Sequence, residues 1–132
     1  MEAILTYEAA DNLVRAVLTG PFSITKAKST FLTIRDAAYR HKAQKVLVDG
    51  RLVIGEPEPI ERFEYGEFVA EAAADLKHQE SLGAPQFAYV LEEPVLDRLR
   101  LGETVAINRG MNVKAFSDIQ EAERWLGLGR LH

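Results

Sequence analysis

The chain has 132 residues, of which 47% are hydrophobic and 27% are charged, as is typical of one compact domain. We expect a single domain over residues 1–132 and a soluble, cytoplasmic protein, because the sequence shows neither an apolar run of about eighteen residues nor a signal-peptide pattern. The absence of cysteine excludes disulfides, thiolate zinc sites and cysteine nucleophiles, and a net charge of -4 argues against binding to nucleic acid.

The chain opens with two strand-like segments, residues 3–8 and 13–20. Asp11 and Asn12 lie between them and favour a turn, so we predict an antiparallel hairpin. Ser23 is the predicted N-cap of a first helix that ends near Arg40, because apolar residues recur behind it at helical spacing. Those residues are Ile24, Ala27, Phe31, Ile34 and Ala38.

The rest of the chain alternates short apolar strands with amphipathic helices. The predicted strands cover residues 45–49, 87–91 and 113–116, and the predicted helices cover 59–78, 94–110 and the segment after Asp118. Pro59 fits a first helical turn, Gly110 fits the C′ position, and Asp118 with Glu121 fits a capping box before a core residue, Trp125.

The resulting order ββαβαβαβα requires parallel pairing wherever a helix joins two strands. We therefore predict a single-domain α/β fold with a mixed, mostly parallel sheet of about five strands and crossover helices. The continuous apolar run at residues 45–49 indicates a strand that is covered on both sides. If no helix covers the second side, a partner or a second subunit must do so, and a homodimer is then expected.

Ligands of open α/β sheets collect beyond the carboxyl ends of the parallel strands. The residues at the predicted ends are Thr19, Gly20, Asp49, Gly50, Arg51, Glu92, Glu93, Pro94, Ser117 and Asp118. Such carboxylates have three alternative roles. They bind a divalent cation, they act in acid–base catalysis with Asp49 among them, or they stabilise turns and helix starts. The structural role is favoured, because no nucleophile elbow, metal-spaced histidine set or glycine-rich phosphate loop is present. We expect no catalytic residue, metal or cofactor, and a carboxylate-dependent enzyme is the alternative.

The second helix and the segment after the fourth strand supply side chains for a binding pocket. Glu64, Glu67 and Glu71 share one helix face and predict a solvated acidic surface, yet Phe63 projects beside them. The predicted apolar lining is Phe63, Tyr65, Phe68, Leu96, Leu99 and Leu101, and the predicted polar anchors are Asp49, Arg51 and Arg109. The same apolar residues also suit peripheral membrane contact or ordinary core packing.

The order of elements, the junction at Asp49 and the closing run ETVAINRGMNVKAFSDIQEAERWL resemble the SpoIIAA-like family of the STAS superfamily, in the branch labelled STAS/SEC14 domain-containing. The resemblance covers nearly the whole chain. Its most specific residues are Asn108, Arg109, Gly110, Phe116, Asp118, Trp125 and Leu126. The resemblance implies a SpoIIAA-like (STAS) fold and a non-enzymatic binding module for a protein partner or a small apolar, lipid-like ligand. Relatives in the superfamily include phosphorylation-switched antagonists of anti-sigma factors.

The loop before the second helix departs from the pattern of those antagonists. In them it carries an Asp-Ser-Ser-Gly segment whose serine is phosphorylated, whereas here it is GEPEPI, with no serine or threonine between Asp49 and Ser81. Serine phosphorylation therefore cannot switch this loop. The resemblance places Glu58 near the phosphoserine position, with Glu56 and Glu61 beside it. Glu58 either imitates a phosphoserine or, as we favour, stabilises the helix start.

Overall fold

The structure, a computed structural model, describes residues 1–75 and 85–128. Its elements are β1 (Glu2–Glu8), β2 (Leu13–Pro21), α1 (Ile24–His41), β3 (Lys45–Ile54), α2 (Pro59–Ala74), β4 (Gln86–Val90), α3 (Leu101–Asn108), β5 (Val113–Phe116) and α4 (Ile119–Trp125). A 3₁₀ turn, Ala9–Asp11, joins β1 to β2. The predicted order of strands and helices is confirmed.

The strands form one mixed sheet in the order β1-β2-β3-β4-β5. β1 and β2 are antiparallel, whereas β2 with β3, β3 with β4 and β4 with β5 are parallel. The hairpin turns at Asn12, which has a left-handed φ of 50° and accepts a hydrogen bond from Tyr7 Oη at 2.8 Å. Asparagine tolerates this backbone conformation better than most residues, which explains its place in the turn.

Each face of the sheet has its own apolar core, because side chains alternate between the faces along a strand. On what we call the first face, Val46 packs in a cluster with Phe31 and Ile34 of α1 and with residues of α2 and α3. On the second face, Leu47 packs in a cluster with Leu126, which follows α4. The chain's own helices therefore cover β3 on both faces at these positions, and the apolar run there does not require a second subunit.

β3 continues to Ile54, whereas the sequence predicted that this strand ends at Asp49. The pairing of β3 with β4 ends at Asp49, but its pairing with β2 resumes after a bulge and places Leu52 opposite Thr19. Thr19 and Gly20 are likewise inside β2 and not beyond its end. The prediction was wrong because the extension depends on backbone groups of β2 that local sequence does not reveal.

The predicted helix over residues 94–110 is also wrong in its first half, because α3 begins only at Leu101. Arg100 has a left-handed φ of 51°, which an α-helix of L-residues does not accommodate. The carboxylate oxygens of Asp97, which precedes the helix, accept hydrogen bonds from Leu101 N at 3.2 and 3.3 Å. They thereby satisfy the first backbone N–H of α3.

The other helix ends follow the capping signals in the sequence. Ser23 Oγ accepts a hydrogen bond from Lys26 N at 3.3 Å, and Pro59 is the first residue of α2. Gly110 follows α3 with a φ of 93°, as predicted for a C′ glycine. The predicted extension of α2 to His78 lies outside the described residues.

The cap of α4 differs in one bond from the prediction. Asp118 is the N-cap, but its carboxylate accepts from Gln120 N at 2.8 Å, where a bond from Glu121 N was predicted. The N2 and N3 amides of a helix are both available to an N-cap side chain, and the sequence does not decide between them. Trp125 packs against Phe116 with ring centroids 5.9 Å apart, at the border of the second-face core.

Candidate ligand-binding cavity

A cavity of about 120 Å³ lies on the first face, between the sheet, α2, α3 and the β4–α3 segment (residues 91–100). Its apolar lining includes Leu18, Val53, Val69, Leu91, Leu96 and Ala106. Its polar lining includes Glu61, Arg62, Tyr65, Tyr89, Asp97, Arg100 and Glu103. The polar groups come from α2, β4, α3 and the β4–α3 segment, so the cavity depends on the folded arrangement of several elements.

Glycines set the distance between the two helices that border the cavity. A Cβ atom on Gly66 of α2 would lie 2.6 Å from Gly102 O and 3.0 Å from Val105 Cβ of α3. A Cβ on Gly102 would lie 3.3 Å from Arg62 O. Since the nearest atom to Gly66 belongs to the backbone, only a residue without a side chain fits there without displacing α3.

Arg62 attaches the β4–α3 segment to α2. Its guanidinium donates to Pro94 O at 2.7 Å and to Val95 O, and it lies 3.5 Å from Asp97 Oδ1. These bonds satisfy carbonyl groups that a longer α3 would have used within the helix, which explains why this segment forms turns. The segment thereby becomes a wall of the cavity. Its residue Leu96 is buried and lines the cavity.

Two tyrosine hydroxyls are hydrogen-bonded to each other in the cavity lining. Tyr65 Oη and Tyr89 Oη are 2.8 Å apart, and their rings meet edge to face with centroids 6.2 Å apart. Burial raises the pKa of Tyr65 to about 12, although the hydrogen bond from Tyr89 opposes the shift. Burial, reinforced by Tyr65, also raises the pKa of Tyr89 well above its ordinary value. Both hydroxyls are therefore neutral at physiological pH.

Arg100 and Glu103 cover the free edge of β5. Ala115 N donates to Glu103 Oε2 at 2.6 Å, and Arg100 donates to Ala115 O. Edge strands of sheets expose backbone groups that other chains can pair with, and these two side chains occupy such groups from α3. The guanidinium and the carboxylate are thus committed to the protein backbone at the margin of the cavity.

The charges around the cavity nearly cancel. The lining contains the carboxylates of Glu61, Asp97 and Glu103 and the guanidinium groups of Arg62 and Arg100, so the formal charges of its side chains sum to one negative. Each of these groups has a hydrogen-bond partner within the protein. The cavity therefore presents no surplus of positive charge to an anionic ligand.

Two of the residues predicted for the pocket, Tyr65 and Leu96, line this cavity. The described lining does not include the predicted residues Phe63, Phe68, Leu99, Leu101, Asp49, Arg51 and Arg109. Leu99 projects into solvent with 87% of its surface exposed, and Leu101 is half-buried. The predicted location between α2 and the segment before α3 thus coincides with a cavity, but its lining differs from the predicted set.

Phe63 of α2 and Arg109, which follows α3, lie at the outer surface, whereas Phe68 of α2 is half-buried against the first-face core. Phe63 is 38% exposed, and the Arg109 guanidinium lies 6.0 Å from its ring centroid. Arg109 also donates a hydrogen bond to Glu67. Lys28 Nζ lies 5.5 Å from the Phe68 ring centroid. The predicted acidic face of α2 is therefore paired in part with cations from α1 and α3.

Asp49 and Arg51 form an ion pair on the second face, away from the cavity. Arg51 donates to both carboxylate oxygens of Asp49 at 2.9 and 2.7 Å, and its backbone N–H donates at 3.2 Å. Burial alone would raise the pKa of Asp49, but the hydrogen bonds from Arg51 outweigh it and lower the pKa below its ordinary value. The carboxylate is ionised at neutral pH and hydrogen-bonded at both oxygens.

The acidic loop before α2 ends in a helix cap. Glu58 is the N-cap residue of α2, and its backbone N–H donates to Glu61 Oε1 at 2.9 Å. Glu56 and Glu58 are exposed, whereas Pro57 is buried and lines the cavity. The loop therefore positions Pro57 and Glu61 at the cavity and leaves two carboxylates in solvent.

Sequence reasoning missed Tyr89, Arg62, Arg100 and Glu103. A signal existed for Tyr89, because a hydroxyl inside an otherwise apolar buried strand requires a hydrogen-bond partner. Arg62, Arg100 and Glu103 are indistinguishable in sequence from ordinary surface charges. Their targets are backbone groups that lie far away in the chain, and only the fold brings them together.

Over residues 1–75 and 85–128, no cluster of three or more potential ligand side chains has a geometry that could hold a metal ion. No helix in the described part of the chain is long and apolar enough to cross a membrane.

Neither a protein-family model nor a curated protein matches the sequence. Among solved structures, the chain is similar to the crystal structure of an anti-sigma factor antagonist from Mycobacterium paratuberculosis. The TM-score is 0.57 with 10% sequence identity, over 96% of this chain and 93% of that chain. The chain therefore has the α/β fold of that antagonist, which confirms the SpoIIAA-like (STAS) fold that the sequence predicted.

Proposed function

We propose that this protein is a non-enzymatic binding module of the SpoIIAA-like (STAS) type, and that it binds a small apolar or amphipathic ligand in the first-face cavity. The observation that supports the proposal is the cavity of about 120 Å³, with a mostly apolar lining and two tyrosine hydroxyls bonded to each other. Ligand sites in proteins are commonly concave and mostly apolar, with few polar groups that orient the ligand.

The cavity volume bounds the size of the ligand. A dry protein cavity of roughly 150 Å³ accommodates benzene, so a volume of about 120 Å³ suits one small ring or a short chain. A long lipid chain would either displace the β4–α3 segment, which Arg62 holds at Pro94 O and Val95 O, or extend out of the cavity, which is partly open to solvent. We therefore expect a compact ligand, or only the end of a longer one.

The state of Asp49 supports a binding role over the alternative of an enzyme. Its carboxylate is engaged by three hydrogen bonds from Arg51 and faces away from the cavity. A general base needs a free lone pair within reach of a substrate, and a general acid needs a raised pKa. The pKa of Asp49 is instead lowered.

The test is stabilisation by two neutral one-ring probes, toluene and phenol. A ligand that binds only the folded state raises the unfolding temperature, and its stabilisation grows with the logarithm of ligand concentration, reaching about 2.7 kcal/mol at a hundred times the dissociation constant. We expect a shift with at least one probe for the wild type. We expect no shift for Ala106→Leu, because the larger side chain fills the cavity that Ala106 lines.

The matched control is Ala10→Leu, which makes the same exchange in the exposed turn after β1. It should retain the wild-type response. If neither probe shifts the unfolding temperature of the wild type, the cavity is not a ligand site and the proposal is wrong.

A protein partner is the second candidate, and exposed apolar residues on α2 and α3 favour it. Ile60, Phe63 and Ile107 are 60%, 38% and 47% exposed. The similar structure is that of an anti-sigma factor antagonist. By analogy, the apolar surface of α2 and α3 in this chain would bind a regulatory protein. A partner captured by wild type and Ala106→Leu but lost with Phe63→Asp would assign binding to this surface. Loss with Ala106→Leu alone would assign it to the cavity instead.

A further inference from the structure

We propose that the cavity selects a neutral one-ring or short-chain ligand with a single hydroxyl or carbonyl group, which hydrogen-bonds to the Tyr65–Tyr89 pair. This inference rests on the proposed function and names the chemical class of its ligand. Its basis is the placement of two mutually bonded hydroxyls in an apolar lining, together with the balanced charges around them.

The tyrosine pair has unused hydrogen-bonding capacity. Two hydroxyl groups carry two hydrogens, and their mutual bond of 2.8 Å uses one of them. Among the described residues, no other hydrogen-bond partner is recorded for either Oη. The second hydrogen and the remaining lone pairs are therefore available to a polar group of a ligand in the cavity.

The pair can serve a ligand as donor or as acceptor. The second hydroxyl hydrogen can be donated to a carbonyl or hydroxyl oxygen, and the oxygen lone pairs can accept from a ligand hydroxyl. Because burial raises the pKa of both groups, they remain neutral and do not become phenolate acceptors at physiological pH. One small polar group on the ligand is sufficient.

Anionic ligands such as carboxylates are disfavoured at this site. Arg62 is committed to Pro94 O and Val95 O, and Arg100 to Ala115 O. The lining carboxylates outnumber the guanidinium groups by one, so they oppose a further negative charge. A carboxylate taken from water into this lining would lose hydration without gaining a free guanidinium group.

The test compares dissociation constants of phenol, toluene and benzoate, measured by titration calorimetry at pH 7. Phenol and toluene have nearly the same shape but differ in a hydroxyl against a methyl group. Toluene is the more hydrophobic, so a wholly apolar cavity prefers it. We expect the wild type to bind phenol at least as tightly as toluene, and to bind benzoate at least tenfold more weakly than phenol.

The decisive variant is the double substitution Tyr65→Phe/Tyr89→Phe. Replacing both partners of a buried hydrogen bond by apolar groups of the same shape is close to neutral for stability, so this variant should fold. It should bind phenol about tenfold more weakly, the value of one hydrogen bond, and should bind toluene at least as tightly as the wild type. The control Tyr39→Phe alters a tyrosine that is 61% exposed, and should change neither constant.

Each result is interpretable. If the wild type binds both neutral probes and the double variant weakens neither or both equally, the tyrosine pair does not recognise the ligand and this inference is overturned, while the cavity remains a ligand site. Benzoate binding as tight as phenol binding also overturns it. If the wild type binds neither neutral probe, the proposed function fails and this inference fails with it.

Discussion

The two faces of the sheet are built from the same strands but packed in different ways. On the second face, Leu47 and Leu126 are completely or almost completely buried, at 0% and 1% exposure, in a small cluster. On the first face, Arg62 attaches the β4–α3 segment to α2, Gly66 allows α2 to contact α3 closely, and a cavity remains between these elements and the sheet. The difference teaches that polar bonds to backbone groups can support a void that apolar packing alone would close.

The largest expected difference between the faces concerns leucine truncation. Leu126→Ala on the second face should cost about 3 to 4 kcal/mol in the free energy of unfolding, because it opens a new void in a filled core. Leu96→Ala should cost only about 1 to 2 kcal/mol, because Leu96 already borders a cavity and loses fewer contacts. Urea unfolding measures both, and equal losses would contradict the contrast.

The second prediction tests the spacing of the helices. Gly66→Ala should cost about 2 to 3 kcal/mol, because the new Cβ would lie 2.6 Å from the backbone oxygen of Gly102. Gly50→Ala is the matched control, since its Cβ would also lie 2.6 Å from an atom, but that atom is the terminal Cδ2 of the Leu91 side chain.

Because Leu91 can change rotamer and the Gly102 backbone cannot move without α3, Gly50→Ala should cost less than about 1 kcal/mol. Thermal or urea unfolding of the two variants checks this difference. If Gly50→Ala is the more damaging change, α2 and α3 do not depend on the glycine contact.

Most of the fold could be predicted because its signals are local. Ser23, Pro59 and Gly110 mark helix ends through their own conformational preferences, and the apolar runs mark strands. The errors at Asp49 and Arg100 both involve backbone groups whose partners the local pattern does not reveal. β3 continues beyond Asp49 because its backbone pairs with β2. Before α3, Arg62 binds Pro94 O and Val95 O, and Asp97 accepts from Leu101 N.

The sequence predicted a pocket in this part of the fold but not its lining, and the use of the cavity as a ligand site stays a prediction. The segment containing Leu96 and the helix containing Tyr65 were correctly identified as neighbours of a cavity, because connected elements of an α/β fold lie close together. Tyr89 pairs with Tyr65 across 24 positions of the chain, and no periodicity relates them. The unfilled volume itself depends on the packing of all surrounding side chains, which sequence patterns do not determine.

The third prediction uses alkaline pH to weaken the first face. The pKa of Tyr65 is raised from 10.0 to about 12, so between these values the unfolded chain releases a proton that the folded protein retains. The contribution of Tyr65 to the free energy of unfolding is therefore fully present below pH 10. It falls by about 1.4 kcal/mol per pH unit as the pH rises from 10 toward 12. We expect a loss of about 1 to 2 kcal/mol between pH 9 and 11.

The double variant Tyr65→Phe/Tyr89→Phe should lose much of this alkaline sensitivity, since both of these positions then lack a phenolic proton. Tyr39→Phe should keep the wild-type decline, because Tyr39 is exposed and contributes little to the buried pair. Urea midpoints at pH 9 and pH 11 provide the measurement. An unchanged decline in the double variant would show that other groups cause it.

The smallest expected effect is at the entrance to α2, where the sequence resemblance predicts that Glu58 lies near the position of the phosphoserine in the antagonists. The structure assigns Glu58 the N-cap position, exposed to solvent, and its backbone N–H is already bonded to Glu61 Oε1 at 2.9 Å. Glu58→Ser removes a charge that favours the helix dipole but introduces a good N-cap side chain, so stability should change by less than about 1 kcal/mol.

Glu56→Ser is the control for loss of charge outside the helix. If Glu58→Ser, but not Glu56→Ser, creates or strengthens binding to a protein partner in a pull-down, the carboxylate imitates a permanent phosphate; unchanged binding leaves Glu58 with its role as a helix cap.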